Sequence, residues 1–146
     1  MEKLTAQEAL IYIMVTTSAV DAAVSDDELE LISEIVARLP VFRGFDRTRL
    51  DQLAAKCCSY LAHEDGIEQI LEVTGKALSP KLRDTAYALA VEVAASDLDV
   101  RQEELMFLQI LREQFELEDL TVAAIERSAR IRFRKAGRNI DEKKEN

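Results

Sequence analysis

Apolar residues recur at helical spacing along most of the chain, and local capping signals divide them into segments. Thr5-Ala6-Gln7-Glu8 reads as a capping box, in which the Thr oxygen and the Glu carboxylate each take one orphan amide of a helix start, so a first helix is predicted to residue 20. Ser25-Asp26-Asp27-Glu28 repeats the signal ahead of Leu29, Ile32, Ile35, Val36 and Leu39, and Pro40 stops the second helix. Asp46 opens a third on the stripe Leu50, Leu53, Ala54, Cys57 and Leu61. Asp65-Gly66 breaks it, and Ile67, Ile70, Leu71, Val73 and Leu78 predict a short fourth. Ser79-Pro80 supplies a capping hydroxyl and a Pro at the first helical position, which starts a fifth helix over 81–96. A sixth is expected over 101–115 on Leu105, Leu108, Leu111 and Phe115, and a seventh over 119–136, burying Val122, Ile125, Ala129 and Phe133.

Two segments lack a polar face. Residues 9–20 carry no charge, and residues 85–95 carry only Glu92. A helix that is apolar all round is buried, so the first and fifth helices belong at the centre with the amphipathic ones around them. The expected fold is all-α, about seven helices, with one domain over 1–138 and a polar tail over 139–146. An offset of 76 residues pairs Val15 with Val91, Asp21 with Asp97, Val24 with Val100, Glu28 with Glu104 and Leu29 with Leu105. Each half then reads as apolar helix, acidic turn, amphipathic helix, which predicts two pseudo-symmetric helical hairpins.

Composition adds two constraints. Four Gly, two Pro and 5% aromatics leave too few turns for an all-β fold. The net charge of −9 is uneven: residues 1–126 sum to −14 and residues 127–146 to +5. An acidic body disfavours nucleic acid as a partner, because phosphate attraction is the main sequence-independent term there. The longest uncharged stretch has twelve residues, short of a membrane span, and Met1-Glu2-Lys3-Leu4 has no basic leader pattern. A cytoplasmic location is expected, with peripheral membrane association left open.

The acidic turns carry the candidate chemistry. Asp21 and Asp97 sit between helices, and Glu28 and Glu104 follow seven residues later in the first turn of the next helix. That spacing lets both oxygens face one corner, and Asp26, Asp27, Asp99 and Glu103 add oxygen donors of the kind that suit Ca²⁺ or Mg²⁺. Neither turn is an EF-hand, since the twelfth residues counted from Asp21 and Asp97 are Ile32 and Leu108. Capping and the helix dipole are the competing explanation for Glu28. They account less well for Glu104, where Arg101 stands in place of the capping Ser25. Glu92, an acid in an apolar helix, must be paired, hydrogen-bonded or metal-bound; it is a further metal-ligand candidate unless it lies at the rim beside a Tyr or Arg.

Enzyme chemistry finds little support. His63 follows Cys57 by six residues, on a different side of any helix that contains both. Cys57 and Cys58 are adjacent, too close for an ordinary disulfide, and are expected reduced, with thiol chemistry toward a soft oxyanion as a lesser alternative. In the last helix Arg127, Arg130, Arg134 and Arg138 form a basic face that could meet an acidic protein partner, an anionic membrane or nucleic acid.

Three stretches carry a family resemblance: residues 11–21 (IYIMVTTSAVD), 39–43 (LPVFR) and 85–95 (TAYALAVEVAA), the last followed by Asp97 and Gln102-Glu103-Glu104-Leu105. They are similar to the bacterial tellurite-resistance TerB family, particularly its short single-domain members, over about residues 5–134. The resemblance implies a duplicated all-α array, a non-enzymatic role in metal or oxyanion stress, an acidic surface that binds divalent cations, and association with membrane-linked complexes. By position, the family's acidic turn and following Glu map onto Asp21 with Glu28 and Asp97 with Glu104. Where the family commonly places Gly after the Asp, this chain has Ala22 and Leu98, so a turn that needs positive φ would be strained.

Overall fold

A computed structural model describes residues 2–19, 22–96 and 102–136. Among these residues the chain forms seven α-helices and two 3₁₀ turns, and no strand. The helices are α1 (Ala6–Ser18), α2 (Asp26–Arg38), α3 (Leu50–Leu61), α4 (Gly66–Ala77), α5 (Pro80–Ser96), α6 (Gln102–Gln114) and α7 (Asp119–Arg132). The turns cover Pro40–Phe42 and Arg47–Arg49. The all-α class and the helix count follow the sequence expectation.

Both capping boxes form. Thr5 Oγ1 accepts from the Glu8 amide (3.1 Å) while Glu8 Oε1 accepts from the Thr5 amide (2.8 Å). Ser25 and Glu28 repeat the exchange at 3.1 and 2.9 Å. Asp46 caps the 3₁₀ turn ahead of α3 rather than α3 itself, accepting from the Thr48 amide at 3.0 Å. Gly66 opens α4 because the chain folds back closely on α3: a Cβ there would lie 2.2 Å from the Tyr60 carbonyl oxygen.

The centre is α1. Every residue from Ala9 to Ala19 is buried, and the helix packs on α5, α3, α4 and α2. Two of its buried hydroxyls are satisfied within the helix: Thr16 Oγ1 donates to the Tyr12 carbonyl and Thr17 Oγ1 to that of Ile13, both at 2.8 Å. α5 is less enclosed than its composition predicts. Ala86, Tyr87, Leu89, Ala90, Val91, Val93 and Ala94 are buried, while Thr85, Ala88, Glu92 and Ala95 form a partly open strip.

Two expectations for the later helices are corrected. The buried face of α6 is Glu104, Phe107, Leu108 and Leu111, and Leu105 is 51% exposed. Taken at about 100° per residue, Glu104, Phe107, Leu108 and Leu111 share one side and Leu105 lies off it. α7 ends at Arg132, and of its expected stripe Ala129 is buried, Val122 and Ile125 are half-buried, and Phe133 is exposed just past the end. α7 lies mainly against α5, with Val122 and Ile125 packed at the edge of the core and Glu126 paired to Arg112 of α6.

The segment before α1 is tied down by a polar cluster. Glu2 Oε1 accepts from the hydroxyls of Tyr12 (3.1 Å) and Tyr60 (3.0 Å), and its other oxygen pairs with Lys56. Burial pushes the Glu2 carboxyl up, but the hydrogen bonds from Lys56, Tyr60 and Tyr12 together outweigh it and hold the group below its ordinary 4.5. Glu8 is held low in the same way: burial opposes, and the Thr5 amide and Arg49 prevail. A carboxyl whose pKa is lower when folded contributes stability that is present above its unfolded value and lost as pH falls through the folded one. Unfolding by urea is therefore expected to become easier below about pH 4.5. Glu2→Gln should flatten that acid dependence; an unchanged slope in the variant would show that the cluster is not coupled to folding.

Candidate functional site

The residues singled out in the sequence fall into three places: the two helix junctions, the α3 thiols, and the surface around α7. At the first junction, Ala22 takes φ +66°, and its amide donates to the Ala19 carbonyl at 2.9 Å. The strain expected at this position is therefore present, since the left-handed region crowds a Cβ. Glu28 lies in the first turn of α2, with Oε1 in the capping box. Asp26 and Asp27 beside it are exposed.

At the second junction Glu104 is 1% exposed, in the first turn of α6. Its pseudo-repeat partner Glu28 is only half-buried. Taking a carboxylate out of water costs several kcal/mol unless it is compensated, and Glu104 is not left without a partner. The two acids that the 76-residue offset pairs are thus unequal: Glu28 caps a helix, and Glu104 has entered the core. Asp21, Asp97 and Asp99 lie outside the described residues. Among the described residues no group of three or more His, Cys, Asp or Glu is placed to hold a metal ion.

Glu92 is accounted for by a neighbour. Its Oε1 lies 2.8 Å from Arg132 Nη1, and the side chain is 22% exposed. The carboxylate is thereby used in docking α7 onto the open strip of α5, the rim arrangement beside an arginine that the sequence left as an alternative.

The thiols divide by burial. Cys57 is enclosed, 3.4 Å from Thr16 Oγ1 and 3.6 Å from the Tyr12 carbonyl. Burial pushes its pKa up to about 12, which keeps the thiol protonated and a poor nucleophile at neutral pH. Cys58 is half-buried, and His63 is exposed beyond the end of α3. His63 lies on the rim of a cavity of about 880 Å³ between α4, α5 and α6, where Glu64, Glu68 and Glu72 form an acidic edge. At its floor Arg83 donates to the Gly75 carbonyl (2.7 Å) and sits over the Phe115 ring, 5.3 Å from the centroid. Nη2 is thereby tied to the fold, while Nε is buried without a hydrogen-bond partner among the described residues.

Around α7 the arginines are not equivalent. Arg132 pairs with Glu92 and stacks on Phe133 at 5.4 Å. Arg127, Arg130 and Arg134 are exposed and have no ion pair among the described residues. Arg134 lies two residues past the end of α7, so it is not on the helical face with Arg127 and Arg130, and Arg138 lies outside the described residues. Sequence reasoning missed a second cluster nearby. Tyr87 of α5 donates to Glu126 Oε2 at 2.5 Å, and Arg112 of α6 reaches the same oxygen at 2.9 Å. Burial, then Glu126, pushes the Tyr87 hydroxyl up to about 12, so it stays a donor. The signal for it was an aromatic with a polar tip in an apolar helix, which needs a partner when buried.

No helix among the described residues is long and apolar enough to cross a membrane. A family model described as Tellurite resistance protein TerB matches residues 7–128. No curated protein and no solved structure gives a match.

The strain at Ala22 gives a direct test. Ala22→Gly is expected to stabilise the chain by about 1 kcal/mol, the relief of a left-handed Cβ less the greater backbone entropy of Gly. The urea midpoint should rise with an unchanged slope; a fall would mean that the turn adopts another conformation in solution.

Proposed function

Because the chain belongs to the tellurite-resistance TerB family, whose model matches residues 7–128, we propose that it is a non-enzymatic binding protein of the tellurite-resistance type. In this reading the acidic helix junctions take a divalent cation such as Ca²⁺ or Mg²⁺, or a basic surface on a protein partner. The observation that supports it best is Glu104, a carboxylate held at 1% exposure directly after an acidic stretch of sequence that contains Asp97 and Asp99. End-stabilisation of a helix is achieved by exposed acids, as Asp26 and Asp27 do at α2. Glu104 is instead drawn inside and partnered there, unlike the exposed acids that serve a helix end. The protonated, enclosed Cys57 favours binding over thiol chemistry.

Each junction would supply oxygen donors from the inter-helix turn and from the first turn of the next helix: Asp21 with Glu28, and Asp97 and Asp99 with Glu104. An all-oxygen set of this kind suits hard cations at sub-millimolar to millimolar affinity. Titration of the isotopically labelled chain with Ca²⁺, followed by backbone NMR, should move the amides around Glu28 and Glu104 and of residues 97–101. Glu104→Gln, checked for an intact helical spectrum, should abolish the shifts at the second junction and spare the first. Unmoved amides at both junctions in millimolar Ca²⁺ and Mg²⁺ would eliminate the cation version. The protein-partner version would then be tested by the same experiment with a lysine-rich peptide.

A further inference from the structure

A groove of about 810 Å³ runs between α5, α6 and α7. Val91 and Ala94 of α5, Leu105 and Leu108 of α6 and Ala129 of α7 form its apolar floor, and Phe133 closes one side. Leu105 and Phe133 are 51% and 39% exposed, large apolar side chains held open at one place on the surface.

Its charges are unbalanced in one direction. Glu126 in the groove wall is taken by Arg112 (2.9 Å) and the Tyr87 hydroxyl (2.5 Å). Glu92, on the adjoining strip of α5, is taken by Arg132 (2.8 Å). Those pairs neutralise the acids and leave Arg130 and Arg134 lining the groove without an ion pair among the described residues. A chain of net charge −9 therefore presents a local positive rim over an apolar floor.

We propose that this groove docks an acidic amphipathic segment of a partner protein, its apolar side chains against Leu105, Leu108 and Phe133 and its carboxylates on Arg130 and Arg134. The guanidinium fork suits a carboxylate in two-point contact, and a helix or strand laid in an apolar groove uses its spaced anchors for burial. The long-range field favours a short ligand over an extended polyanion. Screening acts over about 8 Å at physiological salt, so a short segment meets mainly Arg130 and Arg134. An anionic bilayer or an RNA would also meet the body of residues 1–126, which sums to −14. A flat lipid surface, moreover, cannot reach a concave floor. The groove shares no residue with the acidic junctions, so the two readings fail separately.

The probe is a short fluorescent peptide of alternating leucine and glutamate pairs, with its glutamine counterpart, added to the full chain. Anisotropy should show binding of the glutamate peptide that weakens with salt. The glutamine peptide, and the chain carrying Arg130→Glu with Arg134→Glu, should each bind roughly tenfold more weakly, as expected for loss of charge pairs. Both arginines are exposed, so the double variant should keep its helical spectrum and melting temperature. Leu105→Ala, a truncation at a half-open position, gives an independent reading of the apolar floor and should also weaken binding. Three results would overturn the proposal: no peptide binding at millimolar protein, binding that is indifferent to the double variant and to Leu105→Ala, or retention on phosphatidylglycerol vesicles or RNA without peptide binding.

Discussion

The structure depends on enclosing α1 on all sides. A helix can be surrounded by other helices only if its polar groups find partners without water, and the threonines of α1 meet that condition internally. Its backbone is paired along the helix, and Thr16 and Thr17 return their hydroxyls to the carbonyls one turn earlier. Tyr12 is the instructive exception, since its ring is buried and its hydroxyl reaches Glu2 at the edge. Full burial of each Leu, Ile or Val side chain contributes roughly 1.5–3 kcal/mol, and residues 9–15 of α1 supply such side chains on every face. α2 to α6 pack directly on it, and α7 packs on α5.

α1 and α5 define the interior, and the candidate surfaces lie at helix ends and along the open edge of α5 with its outer neighbours. The rotation of α6 links the two candidate surfaces. Seating Phe107 and Leu111 in the core turns Glu104 inward and leaves Leu105 outside. The buried carboxylate at the second junction and the open apolar floor of the groove are therefore two consequences of one packing choice. α7 is held to α5 by Ala129, the Glu92–Arg132 pair and the Tyr87–Glu126 hydrogen bond, and to α6 by the Arg112–Glu126 pair. Its outer residues, Arg127, Arg130 and Ile131 among them, are exposed.

Much of the fold was legible because its signals are local. Thr5-Glu8 and Ser25-Glu28 form the capping boxes that their spacing encodes, and Pro40 and Ser79-Pro80 end and begin helices where they stand. The site was less legible because identical sequence signals met different surroundings. Asp-x-x-Val-x-x-x-Glu-Leu occurs in both halves, yet Glu28 caps α2 while Glu104 is buried. The Tyr87–Glu126–Arg112 cluster joins three helices and has no sequence spacing by which to find it.

The sequence by itself determined the helices, their order and the central place of α1, because capping, proline stops and an uncharged run act over a few residues. The tertiary structure decided which carboxylate is drawn inside, which leucine is left open and which arginines are taken up by Glu92 and Glu126. Those outcomes turn on the rotation of α6 and the register of α7 against α5. A helix with apolar residues on more than one side can be seated in more than one way, and the shape of the space left by its neighbours makes the choice.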